Sequence, residues 1–351
     1  MDNRDRDRGL LARSTNDDSD APVQETSNDA AVSRDSAARL GYINDPWIRY
    51  FVKRPQRRAP LINRGTYSRF HGIQGTLKRF ASAVAALRSE QSQGKETEEE
   101  PAVGQVVVLG AGMDTSYFLM SADSNNSSVA GLRFFEVDFP EITAKKAATV
   151  WRTRALHAML PTDTVVASGG TELHSATFNL LAGDLRDFET SVVPKLRDRG
   201  FDPAHPTLFV SECVLIYLDS IHSDAILDWI TANVPAAGIV TYEQILPSDR
   251  FGQMMIANLR ARGLELRGLY AYPSLESTAQ RFLSRGWKSA QAVDLAQYHD
   301  SCIPPSEHDR LSAIELLDEW EEFRLLASHY AFTFACTRDS EVFKPAMEAF
   351  L

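Results

Sequence analysis

Three carboxylates follow three separate apolar runs, and they are the first feature of the sequence that suggests chemistry. Asp138 ends the run LRFFEVD, Asp184 follows FNLLAG, and Glu212 ends TLFVSE. Short runs that are largely apolar are typical of strands buried on both faces of a parallel sheet. Because the carboxyl ends of such strands meet at one edge of the sheet, the three carboxylates are predicted to share one crevice. In that crevice they can accept hydrogen bonds from hydroxyl, amine and ammonium groups.

A glycine turn precedes these strands and narrows the choice of ligand. Residues 106–115 read VVVLGAGMDT, so that Gly110 and Gly112 follow a fourth apolar run. Both glycines allow positive φ and lack a Cβ, which lets a ligand lie against the backbone. The dinucleotide pattern G-x-G-x-x-G/A requires a glycine or alanine where Thr115 stands, and Asp114 would repel a pyrophosphate. S-adenosyl-L-methionine, which carries a sulfonium, an ammonium and a carboxylate but no phosphate, fits better; a tight turn without any ligand is the alternative.

The remaining elements predict the sheet that positions these groups. Seven strands are predicted, at residues 106–109, 132–137, 178–182, 207–211, 238–242, 287–293 and 330–336. They alternate with helices and finish in a hairpin. This pattern predicts an α/β fold of the Rossmann-like class I S-adenosylmethionine-dependent methyltransferase type, with a mostly parallel seven-stranded sheet, an antiparallel last strand and an N-terminal helical lid.

The domain organisation follows from composition. Residues 1–33 are rich in Asp, Arg, Ser and Asn, and they are predicted to be a disordered tail. Residues 34–351 are predicted to form a single methyltransferase domain, because a chain of 351 residues with 44% hydrophobic content can bury one full core. Within this domain, residues 34–104 are the predicted lid, and residues 105–337 are the predicted Rossmann-like core with substrate-side insertions.

Composition also argues against several classes of function. A net charge of -10 and a pI near 5.4 argue against broad nucleic-acid binding and against binding to anionic membranes. Three scattered cysteines suggest neither a disulfide framework nor a zinc site, and no metal site is predicted. No apolar run approaches the roughly 20 residues that span a bilayer, and the N-terminus lacks the apolar centre of a signal peptide. The protein is therefore expected in the cytoplasm, with the nucleus also open.

Eight segments along the chain resemble one known family, in the same order. They read GYINDPW, APLINRGTYSR, LGAGMDT, FFEVDFP, AGDLRDF, SECVLIYL, YEQILPSDRFGQMM and SLESTAQRFLSRGW. On these segments the chain resembles the leucine carboxyl methyltransferases from about residue 33 to about residue 337. That family methylates the C-terminal leucine carboxylate of the protein phosphatase 2A catalytic subunit. The resemblance implies the same reaction, the cofactor S-adenosyl-L-methionine, and the tail of that subunit as partner.

Candidate site residues come from the resemblance and from the strand ends together. The cofactor contacts of the family correspond to Arg69, Gly110, Asp138, Asp184, Leu185 and Glu212, and a family lysine corresponds to Arg34. Gly112 of the turn and Glu136, near the end of the second strand where a ribose is held, complete the predicted cofactor set. The predicted catalytic residues are Arg69, which orients carboxylates through bidentate hydrogen bonds, and Tyr217, which borders the substrate pocket.

A carboxylate nucleophile needs little activation. An α-carboxyl group has a pKa of about 3.3–3.7 and is ionised at neutral pH, so no general base is predicted. Attack on a sulfonium methyl group neutralises two charges. Removing water and aligning the reactants are therefore expected to provide most of the rate.

Four other functions remain open. The nearest is the related enzyme that methylates a carboxyl group of a modified guanosine in transfer RNA, which carries a long repeat domain after the methyltransferase part. It is disfavoured by the acidity of this chain and by its end at residue 351. The others are a small-molecule O-methyltransferase, a non-catalytic scaffold that binds S-adenosylmethionine, and an NAD-dependent dehydrogenase, which Thr115 disfavours.

Overall fold

One mixed sheet of nine strands organises the molecule. A computed structural model describes residues 17–94, 103–122, 131–338 and 341–348, and their side chains except those of 17–19 and 91–94. In chain order the strands are β1 (Gly104–Leu109), β2 (Leu132–Asp138), β3 (Val165–Ala167), β4 (Glu172–His174), β5 (Phe178–Ala182), β6 (Thr207–Glu212), β7 (Ala237–Gln244), β8 (Ser289–Asp294) and β9 (Tyr330–Cys336). Their order across the sheet is β3-β4-β5-β2-β1-β6-β7-β9-β8.

The sheet confirms the predicted strands and adds two more. Strands β5, β2, β1, β6 and β7 are parallel to one another, and β9 runs antiparallel to both β7 and β8. The additional strands, β3 and β4, form an antiparallel hairpin beside β5. Each has only three residues, too few for the longer apolar run that predicts a buried strand, and Val165 in β3 is 55% exposed.

Helices cover both faces of the sheet. They are α1 (Asp17–Arg39), α2 (Pro60–Gly94), α3 (Ser116–Ala122), α4 (Pro140–Arg152), α5 (Arg154–His157), α6 (Val193–Asp198), α7 (Ser220–Asn233), α8 (Arg250–Ala261), α9 (Leu275–Leu283), α10 (Leu295–Cys302), α11 (Pro305–Ile314), α12 (Trp320–Ala327) and α13 (Lys344–Met347). Val106 and Val108 of β1 pack in a core with α2, whereas Val107 and Leu109 pack in a second core with α7. Within the described ranges, no helix combines the length and apolar composition needed to span a membrane.

Helix α1 corrects the predicted disordered tail. The helix begins at Asp17, so the prediction of disorder is wrong from that residue to residue 33, and residues 1–16 lie outside the described residues. The helix packs along α2 and buries Ala31. Much of its inward face lines a cavity instead of packing in the hydrophobic core, so the helix lacks the long apolar stripe of a core helix. The lid therefore starts earlier than residue 34, while the division of residues 34–351 into lid and core stays a prediction.

Candidate active site

A cavity of about 800 Å³, which we call the hollow, lies at the carboxyl ends of the parallel strands and under α1 and α2. All predicted site residues except Glu136 line it: Arg34, Arg69, Gly110, Gly112, Asp138, Asp184, Leu185, Glu212 and Tyr217. The carboxylates that follow three different strands thus share one crevice, as their spacing predicts.

The glycine turn brings bare backbone to the hollow. Gly110 has φ of +65° and Gly112 has φ of +50°. A Cβ on Gly110 would lie 2.4 Å from a methyl group of Val214, so no larger residue fits there without displacing it. A Cβ on Gly112 would lie 3.4 Å from Ser27 of α1. The turn and α1 therefore face each other across a narrow part of the hollow.

Asp138 is fixed at the end of β2 by the backbone. Its Oδ2 accepts from the N–H of Gly112 at 2.6 Å, and its Oδ1 accepts from the N–H of Phe139 at 2.7 Å. Burial raises the pKa of Asp138 to about 6, although these two hydrogen bonds oppose the rise. Each oxygen keeps a lone pair, so the carboxylate can also accept from two neighbouring hydroxyl groups.

Asp184 connects the end of β5 to helix α1 through an arginine. Its Oδ2 lies 2.5 Å from Nη2 of Arg186, and the same nitrogen lies 2.6 Å from Oδ2 of Asp20 in α1. The hydrogen bond that Arg186 donates to Asp184 raises the pKa of Arg186 above its ordinary value, and the one to Asp20 adds to the effect. This ion-pair chain fastens α1 over the part of the hollow where Leu185 is buried.

Arg34 lines the hollow and is held by two carboxylates. Its Nε lies 2.7 Å from Oδ2 of Asp45, and its Nη1 lies 3.4 Å from Oδ2 of Asp114. Burial acts to lower the pKa of Arg34, but the charges of these two carboxylates outweigh it, and the pKa is raised. Its buried Nη2 has no hydrogen-bond partner among the described residues. An orphaned cationic donor of this kind suits a carboxylate ligand.

Arg69 lines the hollow and is held by Glu212 and the ring of Tyr242. Its Nε donates to Oε2 of Glu212 at 2.6 Å, and its guanidinium lies 5.1 Å from the ring centre of Tyr242. Burial acts to lower the pKa of Arg69, but the charge of Glu212, its hydrogen bond and the nearby Cys213 and Tyr242 together outweigh burial, so the pKa lies above its ordinary value. Burial also raises the pKa of the nearby Tyr217, which keeps its hydroxyl neutral.

The comparison with known proteins agrees with this geometry. The model of the leucine carboxyl methyltransferase family matches residues 23–231. The chain is 37% identical to the leucine carboxyl methyltransferase 1 homolog of Arabidopsis thaliana over 319 residues, which cover 90% of this chain and 89% of that protein. The chain belongs to the leucine carboxyl methyltransferase family. It is also 34% identical to leucine carboxyl methyltransferase 1 of Bos taurus, over 94% of each chain.

A second group of relatives has another name. The chain is 34% identical to the human tRNA wybutosine-synthesizing protein 4, over 93% of this chain but only 46% of that protein. Family membership confirms the predicted enzyme class, a methyltransferase, and the predicted cofactor, S-adenosyl-L-methionine.

The groups that line the hollow fit this cofactor chemically. Carboxylates at three strand ends can accept from ribose hydroxyls, an adenine amine and an ammonium, while the free donor of Arg34 matches the cofactor's carboxylate. No phosphate has to be accommodated beside Asp114. The methyltransferase family and the geometry of its hollow are thus consistent.

Glu136 does not reach the hollow, so its predicted role as a cofactor contact is wrong. It shares a face of β2 with Asp138 but lies two residues, or about 6.6 Å, before the end of the strand. Its side chain is 0% exposed and lies 2.5 Å from Nζ of Lys146 on α4, which covers this part of the sheet. Burial raises the pKa of Glu136 to about 7, against the opposing charge of Lys146. Strand periodicity gives the correct face for Glu136 but cannot reveal the lysine that covers it.

Other lining residues carry no sequence signal by themselves. Helix α1, the segment around the end of α8, and α12 contribute Asp20, Val23, Thr26, Ser27, Arg260, Arg262, Arg267, Phe323, Leu326 and Ala327. On α2, helical spacing offers one signal: if Arg69 and Phe70 face inward, so do Ile73 and Gln74 four residues later. Both of these residues line the hollow.

The raised pKa of Asp138 predicts a pH-dependent affinity for the cofactor product, S-adenosylhomocysteine. Only the ionised carboxylate can accept from both ribose hydroxyls, and its share in the free protein falls as the pH drops through about 6. We expect the Kd measured by calorimetry to be about tenfold higher at pH 5 than at pH 7. Asp138→Asn should bind more weakly at both pH values and lose most of this difference. A wild-type Kd that is constant over this range would contradict the prediction.

Proposed function

We propose that this protein transfers the methyl group of S-adenosyl-L-methionine to the α-carboxylate of the C-terminal leucine of the protein phosphatase 2A catalytic subunit. The product is a leucine methyl ester. One observation carries the proposal: a fixed arginine, Arg69, stands in the same hollow as a cofactor wall and an apolar wall. Relatives named leucine carboxyl methyltransferase 1, which match this chain over nearly their whole length, support leucine as the residue that is modified.

The cofactor wall consists of Arg34, Gly110, Gly112, Asp138, Asp184, Leu185 and Glu212. We assign Asp138 to the ribose hydroxyls, Asp184 and Leu185 to the adenine, and Arg34 to the carboxylate of the methionine moiety. Glu212, beside the positively charged end of the ligand, can accept from its ammonium group. When bound, S-adenosyl-L-methionine supplies an electrophilic methyl group on its sulfonium.

The apolar wall consists of Tyr242, Phe323, Leu326, Ala327 and Tyr330. The rings of Tyr242 and Tyr330 are stacked with their centres 5.3 Å apart. Burying a leucine side chain against such a wall is worth about 1.5–3 kcal/mol. An apolar wall next to a carboxylate-binding arginine therefore favours a large aliphatic residue at the end of a peptide.

Arg69 is the residue that we assign to the peptide carboxylate. Its Nε is used by Glu212, which leaves the Nη nitrogens of the fork for a second carboxylate. Because Glu212 and the ring of Tyr242 fix the guanidinium, it can orient an incoming carboxylate without moving. Because Glu212 already neutralises part of the charge of Arg69, Arg69 stabilises the peptide carboxylate less strongly. A more strongly stabilised carboxylate would be a weaker nucleophile.

The reaction requires no general base from the protein. The terminal carboxylate is already ionised, and the neutral hydroxyl of Tyr217 can act only as a hydrogen-bond donor or acceptor. The protein then has to exclude water and to align the two reactants. Helices α1 and α2 exclude water by covering the hollow.

The experiment that tests the proposal follows labelled methyl groups from S-adenosyl-L-methionine. We expect label to enter the purified phosphatase 2A catalytic subunit and to be absent when its C-terminal leucine is deleted. Mild alkali should release the label, as expected for an ester. Equal labelling of the deleted form would contradict the proposal.

A second candidate rests on the similarity to the tRNA wybutosine-synthesizing protein 4. The same assay with wybutosine-pathway transfer RNA as the acceptor tests it directly. Label in transfer RNA but not in the phosphatase would favour this second function. Label in neither, together with tight binding of S-adenosylhomocysteine, would favour a small-molecule acceptor or a non-catalytic scaffold.

A further inference from the structure

The chain turns sharply after β6, and we call residues 213–217 the β6 turn. Cys213, its first residue, adopts φ of +55°. That is the left-handed region, which is unfavourable for a residue with a Cβ. Strain of this kind persists only where the surrounding structure holds it, and it is common at functional sites. Because Cys213, Val214 and Tyr217 line the hollow, the contacts that hold the β6 turn bear on the function of the hollow.

Strand β7 supplies these contacts. The N–H of Cys213 donates to the carbonyl of Tyr242 at 2.7 Å. Oε1 of Glu243 accepts from the N–H of Val214 at 3.3 Å and from the N–H of Leu215 at 3.1 Å. Glu243 is only 6% exposed, so its removal would leave two buried donors without this acceptor. One side chain of β7 therefore restrains the backbone of the β6 turn.

Glu243 is not itself part of the lining of the hollow. Its neighbours in β7, Tyr242 and Gln244, line the hollow, and the side chain between them lies on the opposite face of the strand. Burial raises the pKa of Glu243 to about 7. With the proton on Oε2, Oε1 can still accept hydrogen bonds, so the contact with the β6 turn persists in both protonation states.

The β6 turn fixes three features of the proposed site. Glu212, directly before the turn, pairs with Arg69 at 2.6 Å. Val214 packs against the glycine turn, since a Cβ on Gly110 would lie 2.4 Å from one of its methyl groups. Tyr217 ends the turn and lines the hollow. A shift of the β6 turn would therefore displace the carboxylate that orients the arginine and the residue that packs on the glycine turn.

We propose that Glu243 is a positioning residue for methyl transfer. Its two hydrogen bonds keep the β6 turn in the strained conformation, and the β6 turn keeps Glu212 against Arg69. Glu243 contacts neither the cofactor nor the acceptor. The predicted effect on activity rests on the proposed function. The predicted effect on binding of S-adenosylhomocysteine does not depend on the acceptor, because Glu212 belongs to the cofactor wall.

Three substitutions of Glu243 test the role of its oxygen. Glu243→Met removes the acceptor, and we expect kcat/KM for the phosphatase to fall by at least about tenfold, with a rise in the Kd of S-adenosylhomocysteine. Glu243→Gln keeps an oxygen at the same distance and should stay within about threefold of the wild type. Glu243→Asp keeps the carboxylate but is one methylene shorter, so it should resemble Glu243→Met, and it serves as the test if Glu243→Met does not fold.

A second change, at Cys213, separates positioning from general loss of stability. Glycine adopts positive φ without strain. Cys213→Gly, added to Glu243→Met or Glu243→Asp, should therefore restore kcat/KM by about fivefold and lower the Kd of S-adenosylhomocysteine again. Cys213→Ala removes the same sulfur atom but keeps the Cβ and the strain, so in these backgrounds it should restore neither quantity.

Gln105→Met is the control for a buried acceptor that only supports the fold. Oε1 of Gln105 accepts from the N–H of Asp202 at 2.8 Å, at the amino end of β1 and thus at the end of the sheet opposite the hollow. This variant should lower the Tm and leave kcat/KM within about twofold of the wild type.

Two outcomes would overturn the proposal. One is wild-type kcat/KM and wild-type affinity for S-adenosylhomocysteine in both Glu243→Met and Glu243→Asp. The other is equal recovery with Cys213→Gly and Cys213→Ala in these backgrounds. If the wild-type protein labels no phosphatase, the proposed function fails, and the Kd of S-adenosylhomocysteine in the same variants still decides whether Glu243 positions the site.

Discussion

Replacing Arg69 with alanine is expected to lower kcat/KM for methylation by about 10²- to 10³-fold. In the native protein, Arg69 is bound to Glu212 at 2.6 Å and is ready to meet a carboxylate without reorganisation. The alanine variant loses this cationic donor and also leaves Glu212 in the hollow without its counterion. That uncompensated charge repels an incoming carboxylate, so both effects reduce the rate.

Two matched variants show whether the fall in kcat/KM is caused by removal of the guanidinium group. Arg69→Lys keeps the charge but not the two-pronged donor, and we expect an intermediate loss of about tenfold. Arg133→Ala removes an arginine at the amino end of β2, where its Nη1 donates to the carbonyl of Gly200, and should leave activity nearly unchanged. The free energy of unfolding of Arg69→Ala should fall by no more than about 1–2 kcal/mol. If Arg69→Ala instead turned over peptide at the wild-type rate, the assignment of Arg69 would be wrong.

The assay can also tell which carboxylate Arg69 binds. If Arg69 contacts mainly the peptide, Arg69→Ala should raise KM for the phosphatase or lower kcat, while the Kd of S-adenosylhomocysteine stays close to that of the wild type. A large loss of S-adenosylhomocysteine affinity would assign Arg69 to the cofactor instead.

Deletion of residues 1–33 is expected to have the second large effect. Helix α1 covers the side of the hollow that we assign to the cofactor: Asp20 pairs with Arg186 at 2.6 Å, and Ser27 lies against Gly112. Without these residues, the adenosine part of the ligand is open to water. We expect the Kd of S-adenosylhomocysteine to rise by at least about 100-fold, equivalent to about 2.7 kcal/mol.

A shorter deletion is the matched control. Removing residues 1–16 leaves α1 and all of its described contacts in the hollow, so we expect the affinity to change by less than about threefold, or 0.7 kcal/mol. The two deletions are compared by calorimetry and by thermal unfolding. If the deletion of residues 1–33 bound S-adenosylhomocysteine as tightly as the full chain, α1 would not be part of the cofactor site.

The sequence predicts the central sheet because its physical signal is strong there. Strands buried on both faces need apolar residues almost throughout, and the carboxyl ends of parallel strands must meet, so Asp138, Asp184 and Glu212 are brought together by topology alone. The glycine turn is equally predictable, since Gly110 adopts positive φ beside Val214.

The errors concern residues whose environment is set by distant parts of the chain. The period of β2 gives the face of Glu136 but cannot show that Lys146, on a later helix, covers it. The polar composition of α1 suggests disorder because composition cannot tell a polar helix that covers a cavity from a solvated tail.

Attack by the terminal carboxylate is tested by methyl transfer to the phosphatase tail with that carboxylate either free or converted to an amide. The amide keeps the leucine side chain and the rest of the peptide, but it is neutral and is a poor nucleophile. We expect labelling of the free acid and none of the amide, because the free acid is already ionised and requires no general base. Methylation of the amide at a comparable rate would contradict attack by the carboxylate and, with it, the role of the arginine beside it.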